Sequence, residues 1–172
     1  MKDRPARSSH LALLFLVSVV GCSAPTGGSH NASSDFRPVA SGEAVGHTWE
    51  LLRGENGDGV SCLKVKVDQT ESSADCGMSV EVAPFNVAVQ RFADGSTAAF
   101  GIARKELAAV LVERRGVTEY VSTIGSQSAG GPNYVVVIGA VGNPIGNISS
   151  KGPDGREYSI KDKMDEVNSE GA

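Results

Sequence analysis

Three cysteines, three histidines and 20 carboxylates are the residues of this 172-residue chain with chemistry to offer. The histidines set the first limit. His10 lies beside an apolar run, His30 lies in a Ser/Gly-rich stretch, and only His47 stands at the edge of a segment able to fold. Nucleophilic hydrolysis needs a serine or cysteine next to a base, and a third group to orient that base. With Gly-x-Ser-x-Gly absent, the chain argues against a histidine-based hydrolase. Paired carboxylates can cleave glycosidic bonds, yet Asp58, Asp94 and Asp154 each precede a glycine, where turn geometry accounts for them. Gly139, Gly142 and Gly146 fit neither the dinucleotide fingerprint nor the phosphate loop. There is no CxxC and no EF-hand spacing, so no metal and no cofactor is expected.

The cysteines are more informative. Cys22 closes the stretch Val19-Val20-Gly21-Cys22, behind a 10-residue apolar run from Leu11 to Val20 and a head carrying Lys2, Arg4 and Arg7. A basic head, a short apolar core and small residues before a cut site make a secretory signal. The run is half the roughly 20 apolar residues a spanning helix needs, so permanent insertion as a helix is disfavoured. The four residues up to Cys22 resemble the lipobox of bacterial lipoproteins. That resemblance implies a diacylglyceryl group on the Cys22 sulfur, cleavage before it, and acylation of the new amino terminus, with palmitate among the chains. Cys62 and Cys76 remain, and two leftover cysteines in an exported domain most simply join each other. The bond would close a 15-residue loop, worth about 3 kcal/mol in a chain-entropy treatment.

A domain organisation follows: a signal at 1–21, the lipidated cysteine and a flexible tether at 22–47, a β domain at 48–160, and a charged, fraying tail at 161–172. The tether is rich in Ser, Gly and Ala, with Phe36 and Val39 among its few large apolar groups. Such a composition cannot bury a core. Removing the signal takes three basic residues and one acid from totals of 16 and 20, leaving a formal charge of −6. An acidic chain without a basic block disfavours nucleic acid as a partner.

The elements that must position these residues read as strands. Leu63, Val65 and Val67 alternate with Lys64 and Lys66, a period of two with one face inside. A Gly-rich turn at 54–59 joins this run to Thr48–Arg53, which makes a hairpin. Further strands are expected at 78–83, 85–92, 97–103, 117–124, 134–138, 147–150 and 156–160. Residues 104–115, RKELAAVLVERR, are ambiguous: helix formers suggest a short helix near 104–112, while the company of strands favours a strand from Ala108. About eight short strands with turn signals between them argue for an all-β fold, a small antiparallel β-sandwich or partly closed barrel.

The tryptophan strand, Cys62-Leu63, Cys76-Gly77, Phe100-Gly101 and the Gly152–Gly155 turn together resemble the two-cysteine extracytoplasmic domains of high-GC Gram-positive surface lipoproteins. That resemblance implies an all-β fold and no activity. Aromatic residues offer one further prospect. Trp49, Tyr120 and Tyr134 would form a ligand platform if the fold gathered them on an exposed surface, whereas Phe85, Phe92 and Phe100 are expected inside. The expected role is a lipid-anchored, non-enzymatic binding or accessory module on the outer face of a bacterial cell membrane. Its partner would be an unidentified envelope protein or polymer. The alternative is an envelope hydrolase using carboxylates on wall polymer.

Overall fold

A computed structural model of the chain describes residues 35–126 and 130–169. Cys22, His30 and the signal lie outside the described residues. Among the described residues twelve strands form three antiparallel sheets, followed by one helix. In the first sheet β1 (Arg37–Ala44), β2 (His47–Glu55) and β3 (Ser61–Val67) run side by side, with the two-residue strands β4 (Thr70–Glu71) and β5 (Asp75–Cys76) both on β3. The second sheet has the order β10 (Asn133–Gly139), β7 (Thr97–Ala103), β6 (Phe85–Arg91). The third has the order β12 (Glu157–Ser159), β11 (Asn147–Lys151), β8 (Ala109–Arg114), β9 (Val117–Ser122). Helix α1 (Lys161–Ser169) ends the described chain.

The second sheet is the middle layer. Along β7 and β10, Ala98, Phe100, Tyr134, Val136 and Ile138 pack with Leu51, Leu63, Val65 and Val67 of the first sheet. Their neighbours Ala99, Ala103, Val135 and Val137 point the other way, onto Val110, Val112, Ile148 and Met164. Strands buried on both faces lose the alternation of polar and apolar residues, which is why β10 reads as the unbroken run YVVVIG after Asn133. Gly101 lets β7 and β6 approach closely. A Cβ there would run into the carbonyl oxygen of Asn86 and lie 2.7 Å from Cα of Val87.

The all-β sandwich expectation holds: sheets stack face to face, and no barrel closes among the described residues. Several particulars differ. The strand favoured from Ala108 does form, as β8 from Ala109, but residues 104–112 contain no short helix, because Val110 and Val112 sit at 1% and 0% exposure while β8 pairs with β9 on one side and β11 on the other. Tertiary pairing overrides the helix propensity of that run. Residues 78–83, expected as a strand, have no regular structure. Part of the expected tether is strand β1, held to β2 over seven residue pairs. Phe36 explains the attachment: its ring lies against Gly54 and under the ammonium of Lys64, 4.4 Å from the ring centre. The charged tail is likewise helical over 161–169. The Ser159 hydroxyl accepts the Lys161 N–H at 3.2 Å, a local cap, and Met164 is fully buried against the third sheet and β6.

One buried cation ties two layers together. Arg114, 7% exposed, donates to the carbonyl oxygens of Ile138 at 2.8 Å and Asn143 at 3.2 Å, and to Glu119 Oε1 at 2.7 Å. Its guanidinium thereby bolts β8 to the end of β10 and the loop beyond it.

Candidate functional site

The expected cysteine pair is formed. Cys62 and Cys76 are register partners on β3 and β5 and are joined by a disulfide. The bond holds the loop between them against the first sheet, where the Ser72 hydroxyl also accepts the Val65 N–H at 3.0 Å. Immediately beyond the disulfide, residues 78–84 cross the end of the middle sheet as an irregular strap. Arg104 secures it: Nε donates to Val80 O at 2.8 Å, Nη2 to Glu81 O at 2.7 Å, and its backbone N–H to Pro84 O at 2.9 Å. Asn86 adds a bond from its amide to Ser79 O at 3.2 Å.

The strap divides two concave surfaces. On one side an open groove of about 600 Å³ has Met78, Ile102 and Pro132 on its floor and Glu81, Lys105 and Glu106 on its rim. The groove continues through Met78, Ile102 and Pro132 into a smaller recess reaching Arg53, Asp75 and Tyr134. On the other side a second hollow of about 550 Å³ lies between Val82, Phe85, Tyr158 and Lys163. An apolar floor with a mixed charged rim suits recognition of a surface. Glu81 and Glu106 are both exposed, whereas a general acid is held in a desolvated setting.

A second polar cluster surrounds His47 at the start of β2. Its Nδ1 lies 2.6 Å from Asp68 Oδ2, and Asp68 Oδ1 accepts from both the backbone N–H and the hydroxyl of Thr48 at 2.8 Å. These bonds, the one to His47 foremost, hold the Asp68 carboxyl below its ordinary value. Asp68 and Gln69 both have positive φ, 44° and 79°, so the cluster pins a strained corner. Ser96 similarly lowers Asp94 by donating its hydroxyl at 2.6 Å and its backbone N–H at 2.9 Å. The hydroxyls of Thr48 and Ser96 are thus already engaged by carboxylates, and neither is bonded to the imidazole. No group of three or more His, Cys, Asp or Glu suited to a metal occurs among the described residues.

The three aromatic candidates are not brought together. Trp49 is half-buried and covers Gly42 on β1, with a Cβ there only 2.7 Å from its ring. Tyr134 is 3% exposed in the first core, and Tyr120 is 80% exposed on β9 of another sheet. Phe85, Phe92 and Phe100 are internal, as expected. The Asp-Gly turns are structural too: Gly59, Gly95 and Gly155 all have positive φ, and Asp94 and Asp154 accept backbone N–H groups two residues on. Sequence reasoning missed Met78 and the strap, because the alternating Val80 and Val82 imitate a strand that Pro84 would merely bend. The only available signal was Arg104, a cation just beyond a buried strand.

Compared with known proteins, the chain matches no family model, no curated protein and no solved structure. Among the described residues no helix is long and apolar enough to cross a membrane.

Proposed function

We propose that this chain is a bacterial lipoprotein precursor whose mature form is a non-enzymatic binding or accessory module, anchored by acyl chains on Cys22 to the outer face of the cell membrane. The observation that carries the reading is the Cys62–Cys76 disulfide. It fits an oxidising, extracytoplasmic compartment, and it uses both cysteines of the β domain, leaving Cys22 behind its basic head and apolar run as the one thiol left for lipid. Two or three chains on one cysteine suffice for stable attachment, where a single chain is marginal. The groove beside the strap is the face offered to an envelope protein or polymer. A carboxylate hydrolase would have to rest on Glu81 and Glu106, whose exposed position on an open rim favours contact over catalysis.

Metabolic labelling with a fatty acid, followed by detergent partition, tests the anchor. The Cys22→Ser chain is expected to take up no label and to leave the detergent phase, since a hydroxyl cannot replace the thiol. Undiminished labelling of that variant refutes the anchor. Capture from intact cells, comparing wild type with Met78→Glu, tests the groove: loss of the same captured species supports it, and unchanged capture refutes it.

A further inference from the structure

Edge strands expose unpaired N–H and C=O groups, and proteins protect them with bulges, prolines, lysines, short length or a covering element. Nearly every edge here is protected. β1 carries Pro38 and a bulge between Pro38 and Ala40. β4 and β5 are two residues long and β12 is three. The edge of β6 lies beside α1, whose Lys163 ammonium reaches Val87 O at 3.4 Å. The edge of β10 is met by Ile124, which bridges Tyr134, and by the Arg114 guanidinium on Ile138 O.

β9 is the exception. It has six residues, no proline and no lysine, and it pairs with β8 without a bulge. Two of the largest exposed apolar side chains of the described residues, Val117 at 68% and Tyr120 at 80%, lie on it. Its backbone direction is fixed by the turn. Arg115 and Gly116 both have positive φ, 49° and 77°, and form a two-residue hairpin loop. Arg114 and Val117 therefore close the hairpin as a hydrogen-bonded pair, and the alternation runs through Glu119 and Val121 to Thr123, whose N–H reaches Ala108 O at 2.8 Å. Thr118, Tyr120 and Ser122 consequently turn their backbone groups away from β8, to the open edge.

We infer that β9 is a homodimer edge, on which a second copy of this chain adds its own β9 antiparallel about a two-fold axis at Tyr120. The register is self-complementary. Tyr120 faces the second copy's Tyr120, and Thr118 faces its Ser122, so every outward N–H and C=O of the three residues finds a partner. The two tyrosines meet on the solvent face, opposite the side on which Val121 packs into the core. Charge allows it as well. Glu119, the single charged residue of β9, is already bonded to its own Arg114 and would face the second copy's Val121. A six-residue edge is small for an interface, so the dimer is reversible rather than obligate.

Cysteine cross-linking of the full chain under mild oxidation reads the register. Tyr120→Cys is expected to give a covalent dimer. Thr118→Cys and Ser122→Cys are each expected to remain monomeric alone and to cross-link when mixed. Failure of Tyr120→Cys to cross-link, equal cross-linking of all three variants alone, or capture of a different protein at position 120 overturns the proposal. Tyr120→Lys supplies an independent measure, because it sets two like charges directly opposite each other, on Cα atoms about 5.5 Å apart across the axis. Tyr120 is exposed, so the fold survives the change. Sedimentation of Tyr120→Lys is expected to show self-association weakened by at least about tenfold, and an unchanged dimerisation constant refutes the pairing.

Discussion

Replacing Arg114 by methionine would keep most of the side-chain volume while removing every donor the guanidinium supplies. The cost can be worked from its three partners. Ile138 O is buried and loses its donor, an orphaned carbonyl that costs about 1–3 kcal/mol, whereas Asn143 O is partly exposed and keeps the Ala140 N–H at 3.3 Å. Glu119 is half exposed, so its freed carboxylate rehydrates and adds little. The expected loss is therefore about 1–3 kcal/mol, a sizeable part of the stability of a domain this size. Glu119→Gln should cost only about 1 kcal/mol or less, since the amide oxygen still accepts from Nε while both carbonyl bonds persist. Urea denaturation of both variants, with the slope checked for constancy, measures the two values. If Glu119→Gln proves as damaging as Arg114→Met, the ion pair and not the carbonyl bolt joins β8 to β10, and the reasoning fails.

Replacing Cys62 and Cys76 together by serine is expected to lower stability by about 2–5 kcal/mol while leaving fatty-acid labelling intact, because the anchor proposed at Cys22 and the staple use different cysteines; peptide mapping without reductant that recovers both as free thiols would reject the staple. The depressed Asp68 carboxyl sets an acid limit. Its stabilising effect is full above the unfolded value near 3.8 and is lost as pH falls through the lower folded value, so the melting temperature of wild type should fall in that acid window. Asp68→Asn should flatten the fall, with Asp94 contributing what remains; identical pH profiles for the two chains would remove Asp68 from the account.

Features that depend on local order were legible in the sequence. The alternation of Leu63, Val65 and Val67 with two lysines fixes a face, and those three residues are buried at 3%, 0% and 3%. Glycines after Asp58, Asp94 and Asp154 mark turns because only the turn conformation needs their positive φ. Two unassigned cysteines in a domain expected to be exported point to each other, and they are joined. What the sequence left open depended on contacts between distant segments. Residues 104–112 favour a helix by propensity, yet strand β8 runs from Ala109 to Arg114 because β9 and β11 flank it. β1 and α1 look like solvated linker and tail, since their apolar residues are few: Phe36 just ahead of β1 with Val39, Ala40 and Ala44 along it, and Met164 in α1, which gain value only once Gly54, Lys64 and the neighbouring sheets are in place. The aromatic platform dissolved for the same reason: Trp49, Tyr120 and Tyr134 could be named from composition, but the sheet order alone decided that one covers Gly42, one stands on an open edge and one lies in the core. Periodicity is written residue by residue along the chain, whereas the order in which sheets stack is chosen by burial summed over all of them.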